Sequence, residues 1–129
     1  MVTKSTAAKN DACDAVTTLI DQTTSGYLSW TSGRLQLYRS GDSSVIASLI
    51  CANPAFLPAI DGTAMANPIS DSTALIDGTA TTFAFVNRDS TFVWGGAVGS
   101  DGSSELNLSS TVISSGTIVS ITSGQYIAP

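Results

Sequence analysis

Histidine is absent from this chain of 129 residues, and charged side chains of both signs are scarce. The ten Asp and Glu residues include only one Glu, Glu105, and they outnumber five Lys and Arg residues, which gives a net charge of −5. The absence of histidine removes the commonest general base, and the chain lacks the four ligands that a zinc site needs. A basic face for nucleic acid is excluded by the same balance of charge. The composition therefore predicts no metal, no cofactor and no nucleic-acid partner.

The remaining side chains offer little for catalysis. Lysine occurs only as Lys4 and Lys9, near the start of the chain and away from any predicted buried strand end that a Ser–Lys pair would use. A glycosidase needs two opposed carboxylates, whereas four of the nine aspartates lie beside glycine in turn signals. Those aspartates are Asp42, Asp61, Asp77 and Asp101. We therefore expect that the protein is not an enzyme.

Long apolar runs are also missing. The most apolar stretch, residues 45–52, is interrupted by Ser48 and followed by Pro54, and a membrane helix needs about 20 residues. The first residues show no signal-peptide core. We expect no membrane partner and synthesis in a reducing cytoplasm, where Cys13 and Cys51 would be free, half-buried thiols rather than a disulfide.

Serine and threonine fill the polar positions instead, with 20 and 16 copies. Threonine suits a pleated sheet better than a helix surface, so this choice favours β structure. A surface with so little charge also tolerates close contact with other copies, and we expect self-association.

One helix is predicted, over residues 6–24, where the apolar side chains recur at spacings of three and four. These are Ala8, Ala12, Ala15, Val16, Leu19 and Ile20. Asn10, Asp11 and Asp14 fall in the early part of this helix, where the helix dipole favours acidic side chains. Residues 1–6 are interpreted as an N-terminal arm, and residues 7–129 as a single domain.

From Gly33 onward the period changes to two. Residues 34–38 and 45–51 form one predicted hairpin, and residues 79–86 and 91–98 form a second. The second strand of the first hairpin is apolar on both faces, which is typical of a covered central strand. Shorter strands are predicted at 63–66, 73–76, 105–108, 111–113 and 117–122. About eight short strands predict an antiparallel β-sandwich or barrel with one N-terminal α-helix.

Two groups of residues are candidates for partner binding. Tyr27 and Trp30 follow the helix in a Ser/Thr/Gly-rich loop, where an aromatic side chain either closes the core or serves as an exposed anchor. Both readings stay open. Lys4 and Lys9 fall within the first ten residues, and we hypothesise that this segment, with Val2 and Thr3, captures a partner.

Taken as a series, the motifs resemble a family of small virion proteins of tailed phages. The resemblance covers nearly the whole chain and rests on turn and strand signals. They are residues 11–21, 33–38, 53–56, 64–69, 78–80, 83–85, 101–102, 105–108 and 119–122. Cys51 and Trp30 depart from the pattern.

The resemblance implies a capsid cement (decoration) protein on the outer surface of the virion. Its partner would be the major capsid protein, whose subunits it would bridge and stabilise, and it would form a homo-oligomer. Two alternatives remain open from the residues. One is a tail tube, baseplate or fibre component, and the other is a carbohydrate-binding β-sandwich for host attachment, for which Tyr27 and Trp30 are the candidate aromatic pair.

Overall fold

The computed structural model of the chain describes residues 5–22, 32–101 and 104–127. Helix α1 spans Thr6–Thr17 and continues as a 3-10 turn over Thr18–Asp21. Ser5 caps the helix, because its hydroxyl accepts the backbone N–H of Ala8 at 3.1 Å. The predicted start at residue 6 is confirmed, while the regular helix ends before residue 24. The helical segment buries Cys13, Thr17 and Ile20, which recur at spacings of four and three on one face.

Ten strands follow among the described residues. They are β1 Arg34–Arg39, β2 Val45–Ile50, β3 Thr63–Met65, β4 Ser72–Thr73, β5 Gly78–Val86, β6 Phe92–Gly99, β7 Leu106–Leu108, β8 Val112–Ile113, β9 Ile118–Val119 and β10 Ile121–Ile127. Both predicted hairpins are present, as β1–β2 and β5–β6. The single strand predicted over 117–122 is divided between β9 and the start of β10.

Eight strands form one curled sheet in the order β2-β1-β5-β6-β7-β10-β3, with β8 paired to β5. Strands β4 and β9 form a separate two-stranded sheet. The prediction of a mainly β, sandwich- or barrel-like fold with one N-terminal helix is therefore confirmed. One pairing differs from the expected antiparallel arrangement, because β6 and β7 run parallel.

That parallel pair depends on a close crossing of the chain. Gly99 at the end of β6 lies opposite Asn107, and a side chain at Gly99 would start only 2.9 Å from Cβ of Ser104. Asn107 is buried, and its amide donates to the carbonyl of Ser104 at 2.6 Å and to the hydroxyl of Ser123 at 3.0 Å. The glycine and the buried amide together let the start of β7 lie close beside the end of β6.

Strand β2 lies at one end of the sheet, so the prediction of a central strand is wrong. Its outer edge is covered by non-strand chain instead. The carbonyl of Ile46 accepts from Leu75 N–H at 2.7 Å, and that of Ile50 accepts from Ser70 N–H at 3.0 Å. These bonds occupy carbonyls along the edge of β2 and blunt an edge that could otherwise pair with another chain.

The centre of the core is an aromatic cluster. Phe85 lies 5.1 Å from Phe56 and 5.0 Å from Trp94 between ring centroids, and Trp94 lies 4.8 Å from Tyr126. Phe83 packs edge-on against Trp94 at 5.3 Å. These offset and edge-to-face contacts join β5, β6, β10 and the 51–62 connection into one core.

Candidate interaction surfaces

Only one of the candidate binding residues falls in the part of the chain that the structure describes. Lys9 lies in α1, not in an extended arm, and is half-buried. A side chain at Gly62 would start 3.2 Å from Cβ of Lys9 and 3.4 Å from its Cδ, so the lysine stem lies along the Gly62 turn. The other five candidates lie outside the described residues: Val2, Thr3, Lys4, Tyr27 and Trp30.

Helix α1 and its 3-10 turn are fastened to the 51–62 connection by three side-chain acceptors, which we call the helix latch. They are Asn10, Asp14 and Asp21, which accept the backbone N–H groups of Gly62, Ala59 and Ala55 at 2.7, 2.8 and 2.9 Å. The connection contains Pro54 and Pro58 and forms no regular strand there, so its N–H groups need acceptors from elsewhere. The latch supplies them and fixes this backbone against the helix.

The interpretation of Asn10, Asp11 and Asp14 as residues placed for the helix dipole is therefore wrong. The first turn of α1 contains no acidic residue, and Asn10 and Asp14 instead face the connection. The signal in the sequence was the spacing of Asn10, Asp14 and Asp21, which follow one another at four and then seven residues. This spacing brings three short hydrogen-bond acceptors to one side of a helix. Sequence reasoning found the helix but had no means of finding what the acceptors bind.

The carboxyl group of Asp21 is partly buried where the 3-10 turn meets the connection. Burial raises its pKa above the ordinary value, although the Ala55 N–H and the nearby Arg88 oppose the shift. The neighbouring Cys51 is 4% exposed, and burial, with a further contribution from Asp21, raises the pKa of its thiol to about 12. Cys51 is thus a neutral core residue, and Cys13 is likewise a free, buried thiol. Both are free, as expected, but more deeply buried than expected.

An apolar groove of about 280 Å³ opens beside the latch. It is lined by Asp14, Thr17, Thr18, Pro54, Phe56, Leu57 and Pro58. Large aliphatic side chains stand exposed on the same elements: Leu19 at 46%, Leu57 at 49% and Ile60 at 72%. We call the groove and these three side chains the helix-side surface. Its exposed residues on the connection are carried by backbone that the latch holds in place.

A second exposed apolar area is the β8–β9 patch, which we define as Leu75, Val112 and Ile118. These side chains are 64%, 71% and 67% exposed. Val112 and Ile118 line the same groove of about 70 Å³. Ile118 is paired with Thr73 in the β4–β9 sheet, and Leu75 follows two residues later along the same chain. Val112 and Ile118 thus lie together, and Leu75 lies two residues beyond the Thr73 that pairs with Ile118.

The turn between β8 and β9 is held firmly under the patch. Gly116 N–H donates to the carbonyl of Ala74 at 3.0 Å, and Ala74 N–H donates to that of Thr117 at 2.8 Å. Ser115 N–H donates to the Asp77 carboxylate at 2.6 Å. Asp77 thus holds a turn, as the sequence predicts.

Asp42 also has a structural partner. Its carboxylate accepts from Arg39 Nε and from Ser44 N–H, each at 3.1 Å, and the Arg39 hydrogen bond holds its pKa well below the usual range. Within residues 5–22, 32–101 and 104–127, no group of three or more Cys, Asp or Glu side chains is arranged to hold a metal ion.

Comparison with known proteins adds no relative. No protein-family model matches the chain, and neither a curated protein nor a solved structure matches it. Within the described part of the chain, no helix is long and apolar enough to cross a membrane. The functional reading therefore depends on the two apolar surfaces and on the resemblance of the sequence motifs.

Proposed function

We propose that this protein is a structural component of a tailed-phage virion that binds the outside of the capsid as a cement protein. It acts by adhesion, without a chemical reaction, and bridges subunits of the major capsid protein. The observation that carries the proposal is the helix-side surface, where Leu57 and Ile60 stand exposed on a connection that the helix latch fixes.

Rigid, exposed aliphatic side chains suit this role. Because the latch already fixes the backbone that carries these side chains, a partner that covers them orders less of the chain on binding. The chain as a whole carries few charged side chains, with five Lys and Arg and ten Asp and Glu in 129 residues, which limits the repulsion between crowded copies. A ligand that binds only the assembled shell stabilises that shell by mass action.

The N-terminal segment is proposed to add a second contact. Residues 1–4 lead into Ser5, whose hydroxyl caps α1, and Lys9 lies on the next turn beside the Gly62 turn. A deletion limited to residues 1–4 spares the cap and the latch. We expect it to lower capsid occupancy while the melting temperature of the free protein stays unchanged; full occupancy would exclude a role for this segment.

The proposal is tested by adding the purified protein to capsids assembled without it and sedimenting the capsids. We expect saturable occupancy and a higher melting temperature of the shell. Replacing Ile60 by Ser is expected to weaken binding at least fivefold, because the side chain is 72% exposed and removal leaves the core intact. Phe92→Ser is the matched control, since Phe92 is 64% exposed on β6, outside the helix-side surface.

Three outcomes oppose the proposal. Absence of co-sedimentation would overturn it, and so would density for this chain on the tail of an intact particle. Equal loss of binding in Ile60→Ser and Phe92→Ser would show that the helix-side surface has no special part in any binding observed.

A further inference from the structure

The groove of the helix-side surface has a single charged group in its wall. Asp14 is the only charged residue that lines it, and the others are threonine or apolar: Thr17, Thr18, Pro54, Phe56, Leu57 and Pro58. Asp14 is half-buried, and its Oδ1 accepts the Ala59 N–H at 2.8 Å. Its other oxygen has no hydrogen-bond or ion-pair partner among the residues that the structure describes. Asp14 therefore offers a ligand a carboxylate that is already held in position.

Most hydrogen-bond donors around the groove are already used. The hydroxyls of Thr17 and Thr18 each donate to a carbonyl of the preceding helical turn, at 3.2 and 2.7 Å. The Leu57 N–H donates to a carbonyl of β3 at 2.8 Å, and Pro54 and Pro58 have no N–H to donate. The groove thus presents apolar surface and acceptors, and it favours a ligand that brings its own donors.

The charge around the groove favours a cation. Residues 5–22 and 51–62, which carry the helix-side surface, hold one lysine and four aspartates: Lys9, Asp11, Asp14, Asp21 and Asp61. These 30 residues therefore hold three of the five net negative charges of the chain. Arg88 lies near Asp21, but no cation of the described residues pairs with Asp14. Complementary charge attracts a basic partner to this surface and disfavours an acidic one.

The apolar walls select among basic groups. A lysine side chain lays its methylene stem along apolar surface while its ammonium group stays at a polar end. A groove of about 280 Å³ with apolar walls and one carboxylate matches that division. Because one Asp14 oxygen already accepts the Ala59 N–H, a two-point arginine clamp on the carboxylate is disfavoured, whereas a single ammonium group suits the remaining oxygen.

We infer that the groove receives a lysine side chain of a protein partner, with its ammonium group beside the Asp14 carboxylate and its stem along Phe56 and Leu57. A single side chain of this size binds in free solution with a dissociation constant on the order of 10 mM. That the lysine belongs to the major capsid protein rests on the proposed function, whereas recognition of the side chain by the groove does not.

The test is a titration of the full chain with acetyl-lysine amide up to about 50 mM, followed by amide NMR shifts. We expect saturable shifts that cluster at residues 17, 18, 56 and 57. Acetyl-norleucine amide, which has a similar stem and no charge, should bind about threefold more weakly. Raising the salt concentration from about 20 to 300 mM should weaken binding of the lysine probe and leave that of the norleucine probe unchanged.

Two variants of equal net charge locate the contact. Asp14→Asn keeps an amide oxygen for the Ala59 N–H and removes the charge, so it should bind acetyl-lysine amide about threefold more weakly than the wild type. Asp11→Asn is the matched control, because Asp11 is exposed on the same helix and does not line the groove. It should keep the wild-type affinity. Circular dichroism melting curves confirm that both variants are folded.

Three results would overturn the inference: no saturable shifts, equal affinity for the lysine and norleucine probes, or equal losses in Asp14→Asn and Asp11→Asn. Tighter binding of acetyl-arginine amide would assign the groove to arginine and overturn the choice of lysine. None of these results depends on capsids, so failure of the lysine site is separate from failure of the proposed function. On capsids that bind the wild-type protein, Asp14→Asn should bind more weakly than Asp11→Asn.

Discussion

Replacing Asp14 by Ala removes the middle acceptor of the helix latch. The Asp14 carboxylate accepts the Ala59 N–H at 2.8 Å in a half-buried position. A hydrogen bond to a charged group contributes about 1.5–3 kcal/mol, and the partial exposure of Asp14 places it near the lower value. Alanine regains about 0.6 kcal/mol of helix propensity. We expect a net loss of about 1 kcal/mol in the free energy of unfolding.

Asp11→Ala is the matched control, because Asp11 is exposed on the same helix and its side chain has no hydrogen-bond partner among the described residues. It should gain about 0.6 kcal/mol from helix propensity alone. The two variants should thus differ by about 1.5 kcal/mol, or about 6 °C in melting temperature for a domain of this size. Urea unfolding followed by circular dichroism measures the difference. If the free energies of unfolding of the two variants agree within about 0.3 kcal/mol, which corresponds to about 1 °C in melting temperature, the latch is refuted.

Three further results are expected. Gly33→Ala should destabilise the protein by about 2 kcal/mol in urea unfolding, because the new Cβ would lie 2.5 Å from the Ile20 carbonyl oxygen and 2.8 Å from that of Val86. The Cys51 thiol should resist alkylation at pH 8 in the folded protein and react in denaturant. The pKa of Asp21 is raised in the folded protein, so the folded state binds the proton of this carboxyl group more tightly than the unfolded state does. The stabilisation that results is full at a pH below the unfolded pKa of Asp21, and it is lost as the pH rises through the folded pKa.

Each of these three predictions can be contradicted by the same measurement that tests it. Wild-type stability in Gly33→Ala would mean that the helical segment does not approach β1 so closely. Rapid labelling of native Cys51 would contradict its burial. For Asp21, the stability of the wild type relative to Asp21→Asn, followed from pH 3 to pH 7, should fall; a rise would reverse the assigned sign.

The regular elements could be predicted from the sequence because their apolar residues recur at the period of a strand or of a helix. Period-two patterning placed β1, β2 and β5 within about a residue of their ends, and helical spacing placed the start of α1. The position of β2 in the sheet was not accessible, since its cover is the irregular chain around Ser70 and Leu75 rather than a strand. Apolar residues on both faces of a strand indicate that the strand is buried, but they do not indicate where it lies in the sheet.

The surfaces were harder to foresee. Ile60 and Ile118 are ordinary apolar residues in a turn and a short strand, and their exposure follows from contacts distant in sequence, such as Asn10 with Gly62. The parallel β6–β7 pair was missed for a related reason, because a turn signal at residues 100–103 does not reveal whether the chain reverses. The local period of the apolar residues indicates whether a segment is a helix or a strand. Strand register and side-chain exposure depend instead on contacts across the whole fold.

The central claim, adhesion to the outside of a phage head through the helix-side surface, is tested most directly by a cryo-EM reconstruction of the intact particle. The account predicts density for this chain on the outer surface of the shell, with Leu57 and Ile60 turned towards the major capsid protein. Density on the tail, or mature particles that contain no copy of the chain, would contradict it.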